Sequence, residues 1–175
     1  MKIGLLSDTH GYLDQEFFSL FASCDEVWHA GDIGSMEVLE ALEQFKPLRA
    51  VYGNIDDHRI RLAVPEDQCF SLEDVKVYIT HIAGKPGSYN QRVRSIIEKE
   101  LPQVVICGHS HILRVVYVNR FKHLYLNPGA CGHHGFHAIR TALRFELNHG
   151  KVEAMEVIEL GRRGITRRQK QRSNE

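Results

Sequence analysis

Lys2-Ile3-Gly4-Leu5-Leu6-Ser7-Asp8-Thr9-His10 opens the chain with a short apolar run that reads as a β-strand and ends in two residues able to bind a metal. The pattern recurs four times. Glu26-Val27-Trp28-His29 runs into Gly31-Asp32, and Leu48-Arg49-Ala50-Val51-Tyr52 runs into Gly53-Asn54. Val75-Lys76-Val77-Tyr78-Ile79 runs into His81, and Val104-Val105-Ile106-Cys107 into Gly108-His109-Ser110-His111. In open α/β sheets, sites form in the crevice at the carboxyl ends of the strands. Five such strands bring Asp, His, Asn and His side chains to one edge, the ligand set of a two-metal hydrolytic centre.

Working outward, Asp14 opens a helical stretch whose Phe17, Phe18, Leu20 and Phe21 suit burial. Ser35 is an N-cap for a helix through Phe45, which Pro47 stops. This β-α-β-α-β alternation favours a parallel sheet. Segments 68–72 and 75–80 read as a hairpin around Glu73-Asp74, and Tyr89 to Glu100 as a helix ended by Pro102. From residue 112 the chain reads as a β meander over 112–118, 122–126, 139–147 and 151–160, with His123 and His149 as turn residues. The expected fold is α/β: two packed mixed β-sheets flanked by helices. The expected organisation is a single domain over 1–160 and a basic, flexible tail over 161–175.

A chain of 175 residues, 43% hydrophobic and 25% charged, suits one globular domain with a substantial core. No secretory apolar region follows the start, and no apolar run approaches the length of a membrane span. We therefore expect a soluble, cytoplasmic protein with no membrane partner. Cys24, Cys69, Cys107 and Cys131 are scattered and read as reduced, mostly buried thiols. The formal net charge is zero, but 161–175 holds Arg162, Arg163, Arg167, Arg168, Lys170 and Arg172 against one Glu, leaving the body acidic. Such a tail reads first as a solvated terminus and second as a contact for nucleic acid; it lacks the aromatic residues of a single-strand binder. Oligomeric state is left open, a homo-oligomer included.

In extended backbone, residues i and i+2 project the same way, so Asp8 and His10 can reach one ion, as can His109 and His111. Asp32 is the candidate bridge between two ions, because a carboxylate has two oxygens. Asn54 supplies an amide oxygen and keeps an NH2 donor for a phosphate oxygen. His81 and His109 complete the second ion. A hydroxide between two cations is then the nucleophile, since bound metal lowers the pKa of water toward about 7. Asn54, His81 and His109 are the candidate catalytic residues. No protein nucleophile competes: there is no GxSxG elbow and no cysteine paired with an evident base. In Gly132-His133-His134-Gly135-Phe136-His137, three histidines read as a polar surface loop, with a place along the substrate cleft or the binding of an extra ion as the alternatives.

The order Asp8-Thr9-His10, Gly31-Asp32, Gly53-Asn54-Ile55-Asp56, His81, Gly108-His109-Ser110-His111 and Asn127-Pro128-Gly129 resembles the calcineurin-like metallophosphoesterases. It is most similar to their small bacterial and archaeal phosphodiesterase branch, which also resembles the retromer scaffold subunit. The resemblance implies a dinuclear phosphoesterase, with Asp8, His10, Asp32 and His111 on one metal and Asp32, Asn54, His81 and His109 on the other. It implies a small phosphate-ester substrate and two divalent ions, manganese foremost, with iron, zinc or nickel as alternatives. The scaffold resemblance implies the rival reading, a non-catalytic metal-binding interaction module. Three positions depart from the family pattern. Ile55 stands where many members carry a proton-donating histidine, Ile82 follows His81 in place of a glycine, and Ala130 replaces a serine. His58 is a candidate substitute acid, and Asp56 a candidate to orient a ligand histidine from outside the metal shell.

Overall fold

A computed structural model of the protein describes residues 1–135 and 137–163. The elements run β1 (Lys2–Leu6), α1 (Gln15–Leu20), β2 (Glu26–His29), α2 (Met36–Phe45), β3 (Leu48–Ala50), α3 (His58–Ala63), β4 (Asp67–Leu72) and β5 (Val75–Thr80). There follow β6 (Gly84–Lys85), β7 (Ser88–Tyr89), α4 (Gln91–Glu100), β8 (Val104–Ile106), β9 (Arg114–Val118), β10 (His123–Asn127), β11 (Ile139–Asn148) and β12 (Lys151–Arg162). They build two mixed five-stranded sheets, β12-β11-β1-β2-β3 and β4-β5-β8-β10-β9, plus the ribbon β6-β7.

Alternation along the strands sorts side chains into layers. Ile3 and Leu5 of β1, Val77 and Ile79 of β5, Val104 and Ile106 of β8, and Leu143, Phe145 and Leu147 of β11 meet in one buried cluster between the sheets. The residues between them point outward. Leu6 and Val27 pack with Phe17 and Phe21 of the α1 region and Leu39 and Leu42 of α2. Tyr78 and Val105 pack with Val93 and Ile97 of α4. Gly4 is small because α1 lies close: a Cβ there would stand 2.4 Å from Phe21 Cδ1. Ser35 and Asn90 cap α2 and α4 by accepting from the backbone N–H groups of Val38 and Val93. Leu101, left-handed at φ 49°, closes α4 before Pro102.

The two-sheet α/β sandwich is the fold expected from the sequence, and the Glu73-Asp74 hairpin turn has both residues at positive φ (50° and 62°). The expected single meander is instead divided. The β9–β10 hairpin joins the second sheet, where β10 runs parallel to β8, while β11–β12 joins the first, antiparallel to β1. Both hairpins are local and legible; which sheet each joins depends on packing between distant residues. Helix α3 was not anticipated, because six residues are too few to show a helical period. Its signal is the cap: Asp57 accepts from the N–H groups of Arg59 and Ile60. His123 is no turn residue; it is fully buried in β10, with its Nε2 2.6 Å from the Tyr89 hydroxyl. Strand β12 continues to Arg162 and Arg163 ties back to the body, so the first three residues of the expected tail belong to the fold. Residues 164–175 lie outside the described residues. Cys24, Cys107 and Cys131 are buried free thiols and Cys69 is exposed. Among the described residues, no helix is long and apolar enough to cross a membrane.

Candidate metal centre

Strands β1, β2 and β3 are parallel neighbours in one sheet, and β5 and β8 are parallel neighbours in the other. Their carboxyl ends therefore face one edge of the sandwich. The loops that leave them are laced together there. Asp8 and His10 donate their backbone N–H groups to Gly31 O and Asp32 O, at 2.9 and 3.0 Å. Gly108 N donates to His81 O at 3.1 Å, and His109 N reaches both carboxylate oxygens of Asp8 at 3.2 Å.

The backbone at this edge is not the extended form assumed for Asp8-Thr9-His10. Asp8, His10, Asp32, His109 and His111 all have left-handed φ values, 55°, 49°, 54°, 64° and 57°. Such conformations in residues other than glycine cost on the order of 1–3 kcal/mol each and cluster at functional sites. They change where the side chains go. Asp8, His10, Asp32 and His111 offer ligand atoms that all lie within 4.8 Å of one another. His109 does not share that group; its ring stands 5.3 Å from the His81 ring. His111 thus joins Asp8, His10 and Asp32, and His109 stands beside His81, whereas the i, i+2 spacing allowed both histidines to reach one ion.

Two donor sets meet at Asp32. On one side, His10 Nε2 lies 3.7 Å from Asp32 Oδ2 and 3.3 Å from His111 Nε2, and His111 Nε2 lies 3.2 Å from Asp8 Oδ1. On the other, His81 Nε2 lies 3.2 Å from both Asp32 Oδ1 and Asn54 Oδ1. His81 Nδ1 is 2.8 Å from the Ala30 carbonyl, which can only accept, so Nδ1 carries the proton and Nε2 is turned toward the two oxygens. Carboxylates and imidazole nitrogens crowded at these separations suit a cation, because ligands about 2.1 Å from an ion stand roughly 3–4 Å from one another. The donor set fits divalent metal ions.

The electrostatics agree. Burial, aided by neighbouring histidines, lowers the pKa of His10 and of His109, although Asp32 and Asp8 oppose it, and so favours the neutral, ligating imidazole. Burial opposes the charge on Asp32, yet the His81 contact and the Ile55 N–H outweigh it and hold the carboxyl below its ordinary value. Burial also opposes protonation of His81, but Asp32 and Asp8 overcome it and raise that pKa.

The ground beneath the ligands is equally specific. Gly31, at φ 92°, sits where any Cβ would stand 2.6 Å from His81 Nδ1. Gly53 and Gly108 are about space: a Cβ would lie 2.1 Å from Asp32 Oδ1 at the first and 2.0 Å from Ser7 Oγ at the second. The sequence suggests that Asp56 orients a ligand histidine; among the described residues it instead binds backbone. Its carboxylate accepts from the backbone N–H groups of Ile33 (3.1 Å), Gly34 (2.7 Å) and Gly53 (2.7 Å), welding the Asp32 loop to the Asn54 loop. His58 is exposed on the first turn of α3. Ile55 is 45% exposed and contributes its backbone N–H to Asp32 Oδ1 at 3.1 Å.

His29, the last residue of β2, is fully buried and does more than its place in the strand announces. Its Nδ1 accepts from Gly31 N at 3.1 Å, so Nε2 carries the proton and donates to Thr9 Oγ1 at 2.9 Å. Thr9 Oγ1 in turn donates to Ile33 O at 2.9 Å. Its place one residue beyond Trp28 and two before Gly31 was the available signal. The His133–His137 loop is also nearer the centre than a surface loop. The His134 ring lies 5.0 Å from that of His10, and Arg163 holds the loop by donating to the carbonyls of Gly132 and His134 through Nη1 and of His137 through Nε.

The description calcineurin-like phosphoesterase superfamily domain matches residues 1–150. A phosphodiesterase of Methanocaldococcus jannaschii is 31% identical over 147 residues, 75% of this chain and 84% of that one. A probable metallophosphoesterase of Methanothermobacter thermautotrophicus is 29% identical over 136 residues, 74% and 77% of the two chains. The solved structure of an archaeal phosphodiesterase superposes with a TM-score of 0.74 at 28% identity, covering 91% of this chain and 100% of that one. Vps29 of Chaetomium thermophilum superposes with a TM-score of 0.73 at 12% identity over 93% and 99% of the chains, a likeness of fold alone. With that match running through every strand end just described, this protein belongs to the calcineurin-like phosphoesterase superfamily.

Proposed function

We propose that the protein is a phosphodiesterase that works with two divalent metal ions, manganese foremost, on a small phosphate ester. Asp8, His10, Asp32 and His111 would hold one ion, and Asp32, Asn54, His81 and His109 the other. The observation that carries this reading is Asp32, whose Oδ2 faces His10 and whose Oδ1 faces His81, one carboxylate between two donor sets. Bound there, the ions supply an activated water and positive charge against the oxygens of the ester. The chain does the rest. Ala30 O fixes the His81 ring, the Asp8 carboxylate fixes the backbone at His109, and Asn54 turns its Oδ1 to His81 while its amide NH2 offers a hydrogen bond to a phosphoryl oxygen. Ile55 has no proton to give, which favours esters whose leaving group departs unassisted. The likeness to proteins named as phosphodiesterases supports a diester over a monoester as the substrate.

The test is hydrolysis of bis(p-nitrophenyl) phosphate and p-nitrophenyl phosphate by metal-stripped protein, with and without Mn2+, together with counting of bound metal. We expect two ions per chain, Mn2+-dependent turnover, faster cleavage of the diester, and loss of turnover in a folded Asp32→Asn variant. An Asp32→Asn enzyme as fast as the parent removes the proposed bridge. Two ions without turnover would favour the interaction-module reading.

A further inference from the structure

Next to Asn54 and His81 the surface opens into a cleft of about 530 Å3. A lone phosphate needs far less; pockets of this size take nucleotide-sized groups. Two arginines line it, and they are in different electrostatic states. Arg92 is matched by acids: Nη1 pairs with Asp67 Oδ2, Nη2 lies 3.4 Å from Glu66 Oε1, and Nη2 also donates to Thr80 Oγ1 at 3.2 Å. Arg61 has no carboxylate partner among the described residues. Its Nε donates to Asp56 O at 2.7 Å and its Nη2 to Gly53 O and Asn54 O at 3.3 and 3.2 Å. One face of its guanidinium covers the Tyr52 ring at 4.8 Å.

Bracing the 53–57 loop accounts for Nε and Nη2. Among the described residues, Nη1 makes no hydrogen bond and the positive charge meets no carboxylate. A guanidinium already locked in orientation, with a free donor edge and no counter-charge, is an anion site, and the lock lowers the entropy lost on binding. This one is bonded to the backbone of Asn54, a proposed metal ligand. Ile82, 39% exposed, adds an apolar surface to the same lining.

Building on the phosphodiesterase reading, we propose that this cleft receives one arm of the diester and that Arg61 binds a second anionic group on that arm, a phosphate outside the scissile ester. The protein would then prefer diesters of nucleotide-like molecules that carry a further phosphate. Arg61 is a specificity-determining residue in this account, and Arg92, with its acids, lines the same cleft.

The test uses two substrates that differ by one phosphate and share a leaving group: p-nitrophenyl thymidine 5′-phosphate and the same molecule with an added 3′-phosphate. Nitrophenolate release by the Mn2+-loaded full chain gives KM for each. A charge-assisted contact predicts a KM roughly tenfold lower for the 3′-phosphorylated ester. In Arg61→Gln that ratio falls to near one, and in Arg61→Lys it is intermediate, because a point charge is kept and the fork is lost. A purely loop-bracing Arg61 would change the kinetics of both esters together and leave the ratio intact. A parent ratio near one, or a ratio that survives Arg61→Gln, overturns the proposal. Should neither ester release nitrophenolate, the phosphodiesterase reading fails by itself, and the same pair is titrated calorimetrically as intact ligands. Tighter binding of the 3′-phosphorylated ester that Arg61→Gln abolishes would still support the cleft; equal binding, or none, sinks it.

Discussion

Asp56 carries more of this centre than its position outside the ligand set suggests. Three backbone N–H groups from two loops converge on one buried carboxylate, so removing it leaves three donors without partners. Asp56→Ala is expected to lose about 3 kcal/mol or more of stability by urea denaturation, with a 10–100-fold loss of metal affinity in titrations as the Asp32 and Asn54 loops separate. Asp57→Ala, one residue along, removes only the cap of α3 and is expected to cost about 1 kcal/mol with metal affinity kept. Equal effects from the two variants would deny Asp56 its welding role. The pair was visible in the sequence as Asp56-Asp57, but the division of labour was not. Both are short carboxylates after an Asn-Ile step, and only the loop path decides which one turns inward.

At the scale of elements, each strand delivers its functional residue through a tight exit, and the glycines measure how tight. A methyl at Gly108 would collide with Ser7 Oγ and stand 2.8 Å from Asp8 Oδ2. Gly108→Ala is therefore expected to abolish metal-dependent turnover and lower stability by about 1–3 kcal/mol, the usual cost of overpacking. Gly150→Ala is a control for the second effect. It has a positive φ of 80° but no atom nearer than 3.7 Å, and it is expected to leave turnover unchanged while costing stability through backbone strain alone. The strand ends themselves were legible because apolar runs stop at polar residues. The αL backbone beyond them was not, since Asp and His take a positive φ more often than most side chains but still in only a small share of cases. The i, i+2 argument assumed an extended backbone, which Asp8, His10, His109 and His111 do not have.

For the whole molecule, the sandwich buries polar groups well away from the centre, and these tie its stability to pH. His123 is sealed under Tyr89 and Phe121 in the α4-side core, and burial pushes its pKa down to about 4 from 6.5. The unfolded chain takes up this proton below pH 6.5 and the folded one only near pH 4. The histidine therefore costs nothing at pH 7 and withdraws stability progressively as pH falls from 6.5 to 4, by about 3 kcal/mol in all. Buried His29, likewise pushed down to about 4 by burial, acts in the same direction. Urea midpoints measured from pH 7 to pH 4.5 should fall less steeply for His123→Gln than for the parent; parallel curves would show that His123 is not the group titrating. The same scale governs the carboxyl-terminal strand. Arg163 reaches from the end of β12 to the carbonyls of the His133–His137 loop and so connects the last strand of the first sheet to the rim of the metal centre.

What the sequence by itself determined is whatever rests on neighbours in the chain. Alternating apolar strands, Ser35 and Asn90 caps, the Glu73-Asp74 turn and the strand-end Asp, His and Asn residues are all local patterns, so the two-sheet fold and the seven candidate ligands could be read from them. Only the tertiary structure decided the left-handed backbone that aims those ligands, which sheet takes each late hairpin, and what His29, Asp56, Arg61 and Arg163 hold. Most of these depend on atoms brought within a few ångströms of one another from positions about 20 to 100 residues apart, while Arg61 closes on Asp56, Asn54 and Gly53 within its own loop. No window of sequence contains that distance; it is set when the two sheets pack and their strand ends meet.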